Sequence, residues 1–326
     1  MTLAMNCQIV FAKNDRRSEI VLTQITEIII ESSWTLLTAT AEIVLPRKLK
    51  FFDRRKIKDV FRRGDFVTIA FGYNGTNKEE FRGYITEVAA DIPIRIKLQD
   101  EMWKMKQLPV NFSHPNIGLK DLLTQIAPGY TIDALEGVQI GSVRFPKTTV
   151  AEVLDKLQQE PWKLNTYFKT VGDTQVLVCG KYYSDDSEVE KVNFHLERNC
   201  VSSSLNYVRK DDLFLLIKGV STLSNGTKIE VEFGDKAGQP RQLTHYNKSR
   251  QELEVLVKLD YEKYKQDRFD GSFTAFGIPS VKHGQKANLT STLYEDRNGL
   301  YYIEGVTKTF NRDGIRQVIK LGEKTN

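Results

Sequence analysis

Apolar and polar residues alternate along about the first 110 residues, as they do in β-strands that bury one face. The stretch 93–98, PIRIKL, alternates aliphatic with basic side chains. The stretch 64–73, GDFVTIAFGY, places Val67, Ile69, Phe71 and Tyr73 on one face. Asn74-Gly75 follows directly, and this pair readily adopts the positive φ angles of a tight hairpin turn. The alternation therefore predicts antiparallel strands, with a hairpin that leads into FRGYITEV at 81–88.

A helical period replaces this alternation in the middle of the chain. LKDLLTQIA at 119–127 has the spacing of a short amphipathic helix, and so does TTVAEVLDKLQQE at 148–160. Two strand-like runs follow, NTYFKT at 165–170 and TQVLVCGKYY at 174–183. These patterns predict a small α+β module, which the acidic run SDDSEVEK closes.

Strand-like alternation returns in the last part of the chain, where three turn-forming dipeptides separate the strands. One long amphipathic helix, from Ser249 to Phe269, is predicted to interrupt these strands. The predicted turns lie at Asn225-Gly226, Asn298-Gly299 and Asp313-Gly314.

These patterns together predict a mainly β protein with α+β insertions and three consecutive domains. Residues 1–108 form a first β domain, and residues 109–187 form the small α+β module. Residues 188–326 form a second β domain, with the long helical insertion near 249–269.

The two strand-rich parts of the chain share a weak internal repeat. In the first part, a glycine, a strand, a turn and a second strand run from Gly64 to Val88, over 24 steps. In the last part, a similar series runs from Gly284 to Val306, over 22 steps. A duplication and two independently similar hairpins both account for this pattern.

The chain carries 47 Lys and Arg against 42 Asp and Glu, and its excess positive charge lies in one segment. Between Arg47 and Arg63, nine basic residues stand against two acidic ones, so the rest of the chain is close to neutral. This distribution excludes a generally basic nucleic-acid-binding surface. The segment is predicted to form a short helix that starts at Asp53 and ends at Gly64, with an apolar stripe toward a core.

Two uses of this basic segment fit its pattern. Its positive charges can attract the phosphates of a polyanion, or they can form a solvated face that meets an acidic neighbouring subunit. The segment lacks the interleaved exposed aromatic residues of a nucleic-acid surface, which favours the solvated or protein-contact interpretation. The candidate contact residues are Arg54, Arg55, Lys58, Arg62 and Arg63.

No motif in the sequence points to catalysis, a cofactor or a metal. The four histidines have neither a second histidine nor a carboxylate at ligand spacing. Asp185-Asp186 and Asp211-Asp212 are adjacent acids, which we expect to point to different sides and to be solvated. We therefore expect no catalytic, cofactor-binding or metal-ligating residue, and a protein that is not an enzyme. The histidines are His114, His195, His245 and His283.

The cysteines and the apolar stretches bear on the compartment of the protein. Cys7, Cys179 and Cys200 are odd in number and far apart, which fits buried thiols in a reducing compartment. No stretch approaches the ~20 apolar residues of a membrane-spanning helix. The first residues lack a basic region ahead of an apolar run, so we expect no secretory signal.

Three stretches, in this order, resemble the baseplate hub family of tailed phages. This family includes late-control-D-like tail proteins and the hub part of type VI secretion spike proteins. The first stretch is FRRGDFVTIAFGY…EEFRGYITEV…PIRIKLQDEMWKMKQ at 61–107, and the second is IGLKDLLTQIA…TTVAEVLDKLQQEPWKLNTYF at 117–168. The third is GQKANLTSTLYEDRNGLYYIEGVTKTFNRDGIRQVIKL at 284–321.

The resemblance implies two related antiparallel β-barrels, with the small helical module and the long helix outside them. It implies that three chains close into a homotrimeric ring, whose pseudo-sixfold surface meets a tail tube or distal tail protein on one side. A spike or needle protein binds the other side, and DNA only passes through the channel. The basic segment would then lie at a subunit or tube contact.

The resemblance also implies a place for the protein. We expect it in the virion tail, at the baseplate, after assembly in the host cytoplasm, with no membrane insertion by this chain. Only five residues follow the last meander strand, so we expect any needle or lytic domain to be a separate polypeptide. The alternative is a soluble β-barrel binding module for carbohydrate or peptide. A hydrolase whose active site assembles from distant residues is a third class.

Overall fold

Most of the chain forms β-strands, which are short and separated by turns. The computed structural model describes residues 3–46, 60–89, 91–160, 162–181, 190–223 and 225–325. The strands up to the middle of the chain are β1 Met5–Phe11, β2 Ile20–Leu22, β3 Glu27–Ser33, β4 Thr40–Val44, β5 Phe66–Tyr73, β6 Thr76–Ala89, β7 Arg95–Gln99, β8 Pro109–Gly118, β9 Thr131–Ala134, β10 Gln139–Thr149, β11 Thr166–Val171 and β12 Thr174–Cys179. The later strands are β13 Lys191–His195, β14 Cys200–Val208, β15 Leu215–Thr222, β16 Lys228–Gly234, β17 Gln239–Tyr246, β18 Arg268–Phe276, β19 Lys286–Thr290, β20 Gly299–Asn311 and β21 Gly314–Thr325.

Four α-helices interrupt the strands in the described residues, and the longer ones begin with a side-chain cap. The helices are α1 Met102–Met105, α2 Leu119–Ile126, α3 Val150–Gln158 and α4 Arg250–Tyr264. Thr149 and Glu152 bond reciprocally at the start of α3, and Ser249 and Glu252 do the same for α4. These capping boxes satisfy backbone amides that the first helical turn leaves without partners.

The chain divides into two compact units. Unit 1 comprises Met1–Lys104, Tyr183–Ser204 and Ser272–Asn326, and unit 2 comprises Met105–Tyr182 and Leu205–Gly271. The chain therefore leaves unit 1 and returns to it twice. The three consecutive domains expected from the sequence stay a prediction.

One large, mostly antiparallel sheet contains strands from both ends of the sequence. Its order is β14-β18-β21-β20-β3-β4-β7-β6-β5-β1-β2, with β19 beside β20 and β13 beside β19. The mainly β architecture is thus confirmed. The order ends at β14 and β2, and the described strands form an open sheet rather than closed barrels, so the expected pair of barrels is not confirmed.

One hydrophobic core of unit 1 lies against the strands β1 to β7. Alternate residues of β1, β3, β4, β5, β6 and β7 point into it, as a strand period of two requires. Phe11 and Phe61 meet there at a ring-centroid distance of 4.6 Å. Among the largest side chains with almost no exposed surface are Phe11, Ile9, Ile28, Ile43, Ile69, Ile85, Ile96 and Leu98.

Unit 2 contains three smaller sheets. β8 pairs with β10, β12 lies between β11 and β9, and β15 lies between β16 and β17. The apolar faces expected for α2 and α3 are buried as predicted. Helix α4 packs on the last of these sheets, where Leu253 and Val257 have no exposed surface and contact Ile217.

Three boundaries differ from the sequence expectation. The last hairpin turns at Arg312 and Asp313, one residue before the predicted pair, because Gly314 already pairs with Asn311. Helix α4 ends at Tyr264, not at Phe269, because Arg268 already begins β18 and Phe269 is buried there. Gly299 is the first residue of β20, and a 3-10 turn over Glu295–Arg297 forms the connection in place of a tight Asn-Gly turn. At Arg268 and at Gly299 the chain enters a strand that pairs with distant residues, which local propensity does not reveal.

Candidate assembly surface

The end of the basic segment lies at a tight turn of unit 1. Arg54, Arg55 and Lys58 lie outside the described residues, whereas Arg62 and Arg63 follow the buried pair Val60 and Phe61. Arg62 is half-buried and Arg63 is exposed. Of the five candidate residues, the structure therefore describes only Arg62 and Arg63.

The turn that carries Arg62 is held by its backbone and by Asp65. The amide of Asp65 donates to the carbonyl of Arg62 at 3.1 Å, and the amide of Arg62 donates to Asp65 Oδ2 at 3.2 Å. Gly64 has φ +89°, a left-handed conformation that suits glycine. Its amide donates to Ile85 O at 2.8 Å, and the Ile85 amide returns a bond to Asp65 O at 3.0 Å. The turn is thereby fastened to β6.

Arg17 reinforces this turn from the loop after β1. Its guanidinium lies 2.9 Å from Asp65 Oδ2, and both side chains are mostly buried. The same group donates to the carbonyls of Val60 at 2.7 Å and Ala12 at 3.0 Å. Arginine presents several fixed donors, so one side chain satisfies these acceptors together.

A second turn has the same arrangement in the last part of the chain. The amide of Gln285 donates to Lys282 O at 3.4 Å, and the amide of Lys282 donates to Gln285 Oε1 at 2.8 Å. Gly284 has φ +84°. Its amide donates to Ile303 O at 2.9 Å, and the Ile303 amide returns a bond to Gln285 O at 2.8 Å. The four bonds that Arg62, Gly64 and Asp65 make within the first turn and with Ile85 thus each have a counterpart in the second turn.

The strands around these two turns also correspond. β5-β6 matches β19-β20, β6-β7 matches β20-β21, β4-β7 matches β18-β21, and β3-β4 matches β14-β18. The register of β6 with β7 shifts between Ile85 and Glu87, and that of β20 with β21 shifts between Ile303 and Gly305. The correspondence ends at β1, which pairs antiparallel with β5, whereas β13 pairs parallel with β19. The weak sequence repeat is therefore a repeat of structure.

The two repeats are joined by β3 and β20. Gly305 pairs with Ser33 and Asn311 pairs with Glu27, so β20 covers the whole length of β3. The hydroxyl of Ser33 also donates to Glu304 O at 2.9 Å. Sequence reasoning missed this pairing, because the two strands carry no shared pattern and lie far apart in the chain.

The four histidines were expected to have no carboxylate partner, and the structure corrects this for two of them. His195 Nδ1 lies 3.1 Å from Glu197, and His245 Nε2 lies 3.2 Å from Asp260 on α4. Residues two and fifteen apart in sequence thus come together. His283, by contrast, is half-buried with its Nδ1 atom out of solvent, and this desolvation lowers its pKa to about 4. Asp185-Asp186 lies outside the described residues, and Asp211-Asp212 is exposed on a 3-10 turn.

The thiols are poor nucleophiles. Burial raises the pKa of Cys7 to about 11 and that of Cys179 to about 12. Burial, together with the negative charge of Glu197, raises the pKa of Cys200 to about 11. All three cysteines are free, and Cys7 and Cys179 are buried as expected. A neutral thiol is neither a metal ligand nor an attacking group.

Unit 2 contains a polar cavity of about 500 Å³. Asp133 lines it and is paired with Lys169 at 2.8 Å and Lys181 at 2.6 Å. Burial alone would raise the pKa of this carboxyl, but these two ammonium groups outweigh it and hold the pKa below its ordinary value. Asn247 and Gly137 also line it, and none of its described lining residues is aromatic.

The described residues contain neither a cluster of metal ligands nor a membrane-spanning helix. Across 3–46, 60–89 and the later described ranges, no three His, Cys, Asp or Glu side chains lie together as metal ligands. In the same part of the chain, no helix has the length and hydropathy to cross a membrane.

Comparison with known proteins shows a shared fold. Neither a protein-family profile nor a curated protein sequence matches the chain. A tail protein from Neisseria meningitidis MC58 superposes with a TM-score of 0.63 at 12% identity, over 99% of this chain and 97% of that one. The 43 kDa tail protein of prophage MuSo2 from Shewanella oneidensis gives 0.61 at 13% identity, over 97% and 98%.

The same fold occurs in a type VI secretion system component of E. coli, which is structurally similar to T4 bacteriophage tail proteins. That match has a TM-score of 0.56 at 10% identity and covers 98% of this chain and 77% of the other. The resemblance to the baseplate hub family is thus confirmed at the level of the fold.

Proposed function

We propose that this chain is the structural baseplate hub protein of a phage-type tail, forming a trimeric ring between the tail tube and a central spike. The observation that carries this proposal is the structural repeat in unit 1, with its two equivalent turns and hairpins. Three chains with two repeats each present six similar surfaces, which match a sixfold tube, while the ring keeps the threefold symmetry of a spike.

The proposal includes the partners and the location. A tail tube or distal tail protein binds one face of the ring, and a spike or needle protein binds the other. DNA crosses the central channel in transit, and each repeat contributes to a β-barrel that is completed in the ring. The protein assembles in the host cytoplasm and resides in the virion tail. The fold shared with tail proteins and with a type VI component supports this placement.

The basic segment is proposed to contact a neighbouring subunit or the tail tube. Arg63 is exposed beside a turn that many hydrogen bonds hold in place, so its charge is presented in a defined position. The candidate contact residues remain Arg54, Arg55, Lys58, Arg62 and Arg63. A positive surface of this kind steers an acidic partner and fixes its orientation.

Ring formation tests the proposal. The purified chain, alone and mixed with the tail tube and spike proteins encoded beside it, is analysed by light scattering and electron microscopy at physiological salt. We expect rings with threefold symmetry. Monomers under every condition would refute the hub function, and monomers that bind a glycan or peptide array would favour the binding module instead.

A further inference from the structure

Strand β14 leaves one long edge of the large sheet open in the described part of the chain. It spans nine residues, Cys200–Val208, and stands at the end of the sheet order. Most of its side chains are exposed, and Val201 and Tyr207 expose 50% and 47% of their surface. Its sequence, CVSSSLNYV, contains neither a charge nor a proline.

The other outer strands carry features that discourage pairing with foreign strands. β2 has three residues, β16 alternates Lys and Glu with apolar residues, and β17 contains Pro240 and Arg241. Short strands, edge charges and prolines are the usual ways in which proteins prevent edge-to-edge association. Among the long outer strands of the described sheets, β14 stands out because none of these features protects it.

The structural repeat indicates what binds this edge. β14 corresponds to β3, because each lies beside a matching strand, β18 in one repeat and β4 in the other. The outer edge of β3 is covered by β20 of the second repeat. The strand that corresponds to β20 is β6 of the first repeat, and within one chain β6 does not reach β14.

β6 has a short open edge at the corresponding place. Its residues up to Tyr84 pair with β5, and Ile85 bonds to Gly64 and Asp65. Beyond Ile85, the described strand pairs with β7 on one side only, so the other edge of Glu87–Ala89 faces no described strand. Glu87 corresponds to Gly305, the residue that pairs with Ser33 in the junction of β20 with β3.

We propose that the open edge of β14 pairs with β6 of a second copy of this chain, at Glu87–Ala89, as β3 pairs with β20 within one chain. This inference rests on the proposed hub function, and it names the strands through which the copies join. The contact is head-to-tail, because each copy offers β14 on one side and β6 on the other. When the rotation between copies closes, such a contact forms a ring in which every β14 has a partner strand.

Proline substitution tests the edge directly. The last residues of β3, Glu31–Ser33, pair with β20 at the place that corresponds to Glu87–Ala89, so the contact falls on the last residues of β14. Successive residues of an edge strand point their amides alternately inward and outward, so one of Leu205→Pro and Asn206→Pro removes only an outward amide. That variant keeps its unfolding midpoint and loses ring formation, with the association constant falling on the order of tenfold or more. Gln242→Pro is the matched control, since it lies two residues after Pro240 on the edge strand β17 and leaves the ring unchanged.

Photo-crosslinking gives a second measurement that does not depend on a proline variant folding. Tyr207 is replaced by benzoylphenylalanine, and chains with light and heavy isotopes are mixed before irradiation. We expect cross-links between chains that map to the peptide containing Glu87–Ala89.

The outcomes separate this inference from the hub function. Rings that form normally in both proline variants, or cross-links between chains that map elsewhere, overturn the pairing of β14 with β6 and leave the hub function standing. A wild-type chain that forms no ring with its tail partners refutes both.

Discussion

Lys308 and Glu80 form an ion pair whose side chains are only 7% and 2% exposed. They lie on β20 and β6, one strand from each repeat. Ser280 binds both groups, since it lies 2.8 Å from the ammonium and donates to the carboxylate at 2.7 Å. Burial lowers the pKa of Lys308, and the negative charge of Glu80 opposes this change. Removing only one of the two charges should therefore destabilise the protein, because the other charge stays buried without its partner.

Removing the ammonium alone should destabilise unit 1. In Lys308→Met, Glu80 remains buried without its cation, and we expect a loss of about 3–5 kcal/mol in the free energy of unfolding. Urea denaturation measures this loss. The double variant Lys308→Met with Glu80→Leu replaces the pair by apolar groups and should recover most of it. Lys320→Met, whose side chain is 63% exposed, is the control and should cost less than about 1 kcal/mol.

His283 should make the stability of the protein depend on pH. Its pKa is lowered from 6.5 to about 4, chiefly by burial and further by the charge of Lys282. The unfolded chain therefore binds this proton at a higher pH than the folded one. As a result, the free energy of unfolding has its full value above pH 6.5. It decreases as the pH falls toward 4, by about 3 kcal/mol in total.

Denaturation between pH 4 and pH 7 measures this dependence. We expect His283→Leu to make the free energy of unfolding depend less on pH in that window. Because both proteins contain the same carboxylates, which titrate over a similar pH range, the difference between the two curves reports on His283 alone. Equal slopes for the variant and the wild type would contradict the prediction.

Gly64 should tolerate substitution less well than Gly75, although both have φ angles near +85°. A Cβ at Gly64 would approach the indole of Trp103 at 2.9 Å, whereas a Cβ at Gly75 would meet nothing within 4 Å. Gly75→Ala should therefore lower the free energy of unfolding only through its left-handed backbone, by about 1 kcal/mol. In Gly64→Ala the same backbone strain is joined by the displacement of Trp103, and we expect a loss at least about 1 kcal/mol larger. Thermal unfolding of both variants compares the two costs.

Charge reversal should reveal the role of the basic segment. We expect Arg54→Glu, Arg55→Glu, Arg62→Glu and Arg63→Glu together to weaken assembly with subunits or tail tube on the order of tenfold, because like charges then meet at the contact. Circular dichroism checks that the fold is retained. Unchanged assembly combined with lost DNA affinity would point to a polyanion contact instead. The control reverses four exposed lysines elsewhere, Lys120, Lys147, Lys228 and Lys236.

Local features of the fold could be predicted from the sequence. Asn74 and Gly75 adopt φ angles of 52° and 83°, and Tyr73 pairs with Thr76, as the dipeptide predicts. The apolar face of α3 and the capped start of α4 also follow from residues within one or two turns. In these places neighbouring residues alone determine the backbone conformation.

Long-range features could not be predicted. The turn at His283 contains mainly polar residues, yet its place beside β20 takes Nδ1 of the imidazole out of solvent. The cover of β3 by β20, and with it the open edge of β14, depends on backbone hydrogen bonds that no side-chain pattern encodes. For the candidate assembly surface, the basic segment and the internal repeat could be found in the sequence. The open strand edges of β14 and β6 could be found only in the structure.

The junction of β3 with β20 has a consequence for biosynthesis. Ser33 and Glu304 bond across 271 residues, so β3 leaves the ribosome long before its partner is made. At translation rates of about 5–20 residues per second, this strand waits roughly 15–55 s for β20. During that time its aliphatic run, EIIIESS, is open to pairing with other nascent chains. The yield of correctly folded protein should therefore depend on chaperones that shield the nascent N-terminal strands until synthesis is complete.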